Sequence, residues 1–313
     1  MTVATSTAPL NASRRRPHRG RRRRTPLPLV TLFLLPSLIV YVLFMIVPLI
    51  GTMRLSLSSW DGFQPDVNFI GLANYVNLFG DPAFLAALGN NLIWAVVGTV
   101  SPIVIALPLA ILLWNNPRGR NFFRVVYFLP HILPIVVIGL IWGWIYNPLF
   151  GPLNGLLTAV GLGDWAQGWL GNGDTALYAV LFTAIWATFG LVTVLFMAGL
   201  QGVSRDLVDA AVVDGANAWQ RTRFVLLPAI APVFTFALTI VLVGAFSVFD
   251  IVYVMTRGGP GTATEVMSTY AFRIGFGRNL QGYASAVAMV ITAISFALAI
   301  VLLRLRERNR QNG

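Results

Sequence analysis

Six stretches of this 313-residue chain carry no ionised side chain over a length that can cross a bilayer. They lie between Arg24 and Arg54, Asp81 and Arg118, Arg124 and Asp164, Asp174 and Arg205, Arg223 and Asp250, and Arg278 and Arg304. A charge at mid-bilayer is costly, and roughly 20 apolar residues of helix are needed to cross the hydrocarbon, so each window dictates one span. The third window is long enough for two, but residues 147–155, with Asn147, Pro148, Gly151, Pro152, Asn154 and Gly155, interrupt it and leave room for one. The expected spans are 29–51, 89–113, 123–146, 176–199, 229–252 and 284–303. Because backbone groups in hydrocarbon must bond within their own segment, the fold class is an all-α integral membrane protein with six transmembrane helices. A content of 57% hydrophobic and only 11% charged residues agrees.

Arginine placement orients the spans. Of 22 basic residues, 18 fall on one side: eight in the stretch Arg14–Arg24, then Arg118, Arg120 and Arg124, then Arg205, Arg221 and Arg223, then four in 304–310. Arg54, Arg257, Arg273 and Arg278 fall on the other. The arginine-rich side is expected to be cytoplasmic, which places both termini there. An even number of spans puts the termini on one side, so the two counts check each other. Residues 1–28 read as a disordered basic tail and 304–313 as a short second tail, flanking one membrane domain at 29–303 whose core runs from about 86. The opposite segments are longer and hold Asp61, Asp66, Asp81, Asp164, Asp174 and Glu265, with Trp60, Trp142, Trp144, Trp165 and Trp169 where an aromatic belt belongs.

Several chemistries are excluded. The chain has no cysteine and no lysine, which removes thiolate metal sites, a phosphate-binding loop with its lysine, and Schiff-base catalysis. Two histidines, His18 and His131, are too distant for a zinc site. The net charge of +11 sits in clusters flanking apolar runs, without the aromatic interleaving of a nucleic-acid groove, so no nucleic acid is expected. Neither paired mid-span acids, as a proton-coupled secondary transporter needs, nor a nucleophile pair for an intramembrane enzyme is evident.

One polar interruption has its own grammar. In 204–228, Ser204 can cap a helix with Asp206 in its first turn, and Gly215 can end it in the left-handed conformation. A second helix is expected from about Asn217 to Leu226, closed by Pro228. Ala210, Ala211, Ala216 and Ala218 keep the surface low enough for another backbone to approach.

This run resembles the cytoplasmic coupling loop of binding-protein-dependent ABC importers. Asp209 stands where that family usually has Glu, followed by Ala210, Ala211, Asp214, Gly215 and Ala216, with Leu227 and Pro228 at the expected distance. The shorter acid keeps the charge and loses one methylene of reach. Further runs are similar to the sugar-importing permeases of the group, the maltose-like and glycerol-phosphate-like members: Phe69 to Tyr75 with Asp81-Pro82, Phe128-Leu129-Pro130 with Leu133-Pro134, Ala198 to Gln201, Phe249 to Gly261, and Gly282 to Ala286.

The resemblance implies one permease of a type I importer in a bacterial or archaeal inner membrane. It would work beside a second permease, two ATP-binding subunits and an external solute-binding protein, within membrane lipid. ATP and Mg would sit on the partner ATPase, with no cofactor on this chain, and the solute would be a sugar, a polyol or a related compound. Asp209 and Asp214 face roughly one way and either meet an ATPase arginine or a loop amide, or are simply solvated. In the family the fourth and fifth spans line the pathway, which points to Trp186, Thr188, Val241, Gly244, Ala245, Val248 and Phe249. Ordinary helix packing accounts for those residues equally well. Gly258, Gly259 and Pro260 are expected to touch the binding protein, and Asp250 to pair with Arg257 or a loop amide.

Overall fold

The computed structural model describes residues 27–115 and 117–311, with side chains over 34–115 and 117–304. The expected first tail, 1–28, lies outside those residues except at 27–28, whereas 304–311 of the expected second tail continue α15 as helix. The chain divides into two units after Leu49. The first contains α1 (Leu27–Tyr41) and a wider π turn at Val42–Ile46 that leads into α2 (Val47–Ser56). In the most apolar window of Leu34–Ser56 no residue is buried within the chain.

The second unit pairs β1 (Ser58–Ser59) with β2 (Asn68–Phe69), antiparallel, Ser58 opposite Phe69. Helices α3 (Ala73–Gly80) and α4 (Pro82–Trp114) follow. Asp81 caps α4 by accepting from the Ala83 amide at 2.9 Å, with Pro82 at the position where a missing N–H costs nothing. Then come α5 (Arg120–Ile132), α6 (Ile135–Ile145), α7 (Pro152–Ala159) and α8 (Gly173–Gln201). The polar loop holds α9 (Arg205–Val213) and α10 (Ala218–Arg221), which continues through a π turn at Thr222–Leu226 into α11 (Leu227–Ala229). The chain ends with α12 (Ala231–Phe246), α13 (Asp250–Met255), α14 (Met267–Phe272) and α15 (Gln281–Gln311).

Small residues set the packing, as they must where lipid offers no hydrophobic drive for helices to associate. Ala106 and Ala110 of α4 are fully buried in one cluster with Val192, Phe196 and Leu200 of α8 and Ala237 of α12. At Gly190 α8 touches the backbone of α5 so closely that a Cβ would lie 1.9 Å from the Tyr127 carbonyl oxygen. Phe196 stacks on Phe234 with ring centroids 5.7 Å apart, tying α8 to α12.

Of the six charge-free windows, four hold one helix long enough to cross and two hold a sharply bent helix pair, which makes six crossings if each pair is one broken span. Leu34–Ser56, Pro82–Trp114, Gly173–Gln201 and Gln281–Arg304 are each long and apolar enough to cross alone. The expected third span, 123–146, bends by 97° between α5 and α6. Leu133 is extended there (φ −70°, ψ 140°), as a residue before proline prefers, and Pro134 starts the new helix. The expected fifth span, 229–252, is interrupted at both ends. The segment Ala218–Ala229 meets α12 at 78°, and α12 stops at Phe246 instead of running to 252. Its 16 residues rise about 24 Å, short of a hydrocarbon core of about 30 Å, and α13 follows beyond the break. Pro228 does not close the polar segment. The helix carries it to Ala229, and the turn falls at Ile230, two residues before Pro232.

Candidate functional site

The loop between α8 and α12 is a bracket of fixed geometry. Ser204 accepts from the Asp206 amide at 3.2 Å to start α9. At its end Gly215 has φ +79°, the Gly215 amide donates to Val212 at 3.0 Å and the Ala216 amide to Ala211 at 2.9 Å, the two bonds of a Schellman stop. Asn217 then starts α10 in a capping box: its own amide donates to Gln220 Oε1 at 2.8 Å and its Oδ1 accepts from the Gln220 amide at 2.9 Å. The Asn-x-x-Gln spacing carried that signal in the sequence. Asp209 and Asp214 are both exposed, and neither caps an amide of this chain. Five residues of helix offset them by about 140°, so they do not share a face as expected. Ala210 is exposed, Ala211 and Ala216 are half-buried, and Pro228 is exposed on α11. What sequence reasoning missed is how much apolar surface the loop exposes: Leu207, Val213, Trp219 and Phe224 are 59%, 86%, 71% and 72% exposed on α9, α10 and the π turn that follows. Arg205, at the root of the bracket, lies over the Trp114 ring at 5.9 Å and so ties α9 to the end of α4.

A second feature lies where α12 breaks. The broken stretch Ser247–Phe249 borders a cavity of about 270 Å³ together with Trp94, Thr188, Val241, Gly244 and Ala245. Six of the seven expected pathway residues therefore meet at one cavity. Trp186 does not: its indole packs edge-on to Trp142, 5.5 Å between centroids, on another face of α8. Val241, Gly244 and Ala245 arrive on α12 as its helical spacing requires, whereas Val248 and Phe249 come from the irregular turn. Non-helical backbone within a span is tolerated where it is buried or lines a cavity. Here two freed carbonyls find side-chain donors. Asn91 Nδ2 of α4 donates to Ala245 O at 3.1 Å, and the Ser268 hydroxyl donates to Val248 O. Asn91, fully buried, also accepts from the Met267 amide at 2.7 Å, so one side chain joins α4, α12 and α14.

The third feature is the loop after α13. Gly258 (φ +90°) and Gly261 (φ +59°) adopt conformations that side chains avoid. Gly258 is buried against Glu265, Gly259 is half-buried, and Pro260 is exposed, so of the three expected contact residues Gly258 is withdrawn from any outside partner. Glu265, 2% exposed, forms a two-pronged pair with Arg273, 3.0 Å to Nε and 2.6 Å to Nη2. Asn90 Nδ2 reaches the carbonyls of Thr262, Ala263 and Glu265 at 3.2, 3.2 and 2.8 Å. Asp250 does not pair with Arg257. It occupies the first turn of α13, where the helix dipole favours an acid, and the loop's ion pair is Glu265 with Arg273. Among the described residues no group of acids and histidines could hold a metal.

The profile of the family described as the binding-protein-dependent transport system inner membrane component matches residues 102–311. The chain belongs to that family. This permease is 38% identical to YurN, a probable ABC transporter permease of Bacillus subtilis, over 90% of its own length and 96% of the relative's. It is 33% identical to the diacetylchitobiose uptake permease NgcF of Streptomyces coelicolor, over 91% of its length and 84% of the relative's. Its fold matches a chain of a bacterial ABC transporter involved in alginate import with a TM-score of 0.76, at 24% identity, over 90% of this permease and 95% of that chain. The fold is thus that of a type I importer permease, and the protein is a transporter subunit of a binding-protein-dependent system in the inner membrane.

Proposed function

We propose that this permease carries a carbohydrate or related solute inward by alternating access, driven by ATP and Mg bound on two separate ATPase subunits, beside a second permease and below an external binding protein. The single observation that carries the reading is a rigidly capped loop outside the spans that leaves Leu207, Val213, Trp219 and Phe224 largely exposed. Large apolar side chains held out on a capped loop suit a protein cover, and a groove on an ATPase is the cover we assign to them. With Asp209, Ala210, Ala211, Asp214, Gly215, Ala216 and Pro228 in that bracket, closure of the ATPase pair would tilt α8 and α12, which leave its two ends. Both termini and the bracket would then lie in the cytoplasm, which the arginine bias supports.

The solute class rests on the NgcF relationship at 33% identity and on the motifs shared with sugar permeases. The cavity at the α12 break, with Thr188, Val241, Gly244, Ala245, Val248 and Phe249 on its wall, is the point at which this subunit borders the pathway. The wall is largely apolar, so this chain supplies room and the partner permease supplies most hydrogen bonds. Pro260, and not Gly258, is the part of the Gly-Gly-Pro turn left for the binding protein.

The test is uptake by the complex of both permeases, the ATPases and the binding protein in proteoliposomes. Vanadate-sensitive accumulation of a sugar or polyol is expected. Uphill uptake by this permease without an ATPase would overturn the reading.

A further inference from the structure

A cleft of about 410 Å³, with Asp61, Asn74, Asn77, Asp81 and Arg278 in its lining, lies between the segment before α4 and the segment before α15, at the opposite ends of the spans from the bracket by span count. Its floor is fixed. The Gly282 amide donates to the Trp60 carbonyl at 3.0 Å, and a Cβ on Gly282 would lie 2.0 Å from the Ser58 carbonyl oxygen, so the chain at 58–60 rests directly on the backbone of α15. Asp81 secures the other wall, its Oδ2 taking the hydroxyls of Tyr270 and of Tyr283, the latter at 3.3 Å.

Several lining groups are positioned yet not used up. Trp60 spends its N–H on the Gln64 carbonyl at 2.7 Å, which fixes a ring that borders the cleft. Asp61 accepts the Phe63 and Gln64 amides on Oδ1, both at 3.0 Å, leaving Oδ2; the Gln64 amide first, then that of Phe63, hold this carboxyl below its ordinary range. Asn74, buried, directs its NH₂ at the Ser56 and Ser58 carbonyls at 2.8 and 2.9 Å, leaving its oxygen as an acceptor. Asn77 stands one helical turn further on the same face of α3. Arg278 is exposed and in no ion pair, since Glu265 with Arg273 is the one such pair among the described residues.

This inventory selects a ligand class. A simple anion is opposed by Asp61 and Asp81, and a simple cation by Arg278. A neutral polyhydroxylated ring suits both, because each hydroxyl donates and accepts while its C–H face suits an indole. The cleft volume is within the range of small-molecule sites. We propose that this cleft is a carbohydrate subsite at the outer mouth of the permease, distinct from the cavity at the α12 break, with a sugar ring against Trp60 and its hydroxyls on Asp61, Asn77 and Arg278. The assignment rests on the carbohydrate reading above.

The test uses the permease–ATPase complex in nanodiscs without the binding protein, probed by saturation-transfer NMR with glucose, galactose, mannose, N-acetylglucosamine and their 1→4 disaccharides. At least one sugar should receive saturation. Trp60→Ala should abolish it, and Arg278→Ala should weaken it about tenfold, the loss expected for one charge-assisted hydrogen bond. If Trp60→Ala fails to fold, Asn77→Ala and Arg278→Ala carry the comparison, since both side chains are exposed. Saturation unchanged in the cleft variants but lost on filling the other cavity with Thr188→Trp would overturn the subsite. So would sugar uptake by the complete importer with no cleft-dependent saturation, which leaves the importer reading standing. Uptake of no sugar at all would instead remove the carbohydrate reading, and the subsite with it.

Discussion

Gly215 and Asp81 show how single residues fix the two ends of the permease. Gly215 has open space around it, so nothing but its φ of +79° requires glycine. A β-branched residue there is strained by about 1–2 kcal/mol in the left-handed region, enough to shift the Schellman stop and turn α10 relative to α9. Gly215→Val should therefore assemble in the membrane and permit ATP hydrolysis while uptake falls, read as the ratio of solute moved to phosphate released. An unchanged ratio would count against the bracket. Asp81 is pushed up by partial burial, but hydrogen bonds from Tyr270, the Ala83 amide and Tyr283 more than offset this and hold its pKa below the ordinary 3.8. Burial first, and then the bond to Asp81, raises the Tyr270 phenol. A carboxyl depressed in the folded state stabilises fully above its unfolded value, and that contribution is lost as pH falls through the folded value. Acid unfolding of wild type below pH 3.8 should thus be steeper than that of Asp81→Asn in thermal melts taken across that range.

At the scale of elements, much was legible because charge exclusion from hydrocarbon is a local rule. Four windows hold a crossing helix and two a bent helix pair, and the caps at Ser204, Gly215 and Asn217 followed from short-range chemistry. The bend at Leu133 was written in Pro134, although a single span was expected. The break at Ser247–Phe249 was not written anywhere nearby. It depends on Asn91 and Ser268, 154 and 20 residues away along the chain from the carbonyls they satisfy, and sequence periodicity does not see such partners. The same holds for Trp186, whose place on α8 depended on which face met α6. Close helix crossings are likewise set by tertiary contact. Gly190→Ala puts a methyl against the Tyr127 carbonyl, an overpacking that costs roughly 1–3 kcal/mol or more, and it should lower the melting temperature of the purified permease. Gly143→Ala, with nothing within 4 Å of the added carbon, is the matched control and should melt as wild type does.

Across the whole molecule, the proposed orientation rests on arginine counts and the proposed function on which end meets ATP, so the two stand or fall together. The absence of cysteine makes the test direct, because a single introduced thiol is the only one present. Val213, 86% exposed on the bracket, and Leu149, 92% exposed between α6 and α7, lie at opposite ends of the crossing units by span count. In right-side-out cells a membrane-impermeant maleimide should label Leu149→Cys and spare Val213→Cys until the membrane is opened, and inverted vesicles should reverse the pattern. Adding the ATPase subunit should then protect Val213→Cys alone, since the bracket that exposes Val213, Trp219 and Phe224 is the part assigned to that partner. Labelling of Val213→Cys from outside intact cells would place the bracket where no nucleotide engine can reach it. The arginine-rich ends would then be external as well, and neither the positive-inside orientation nor an ATP-driven reading would survive.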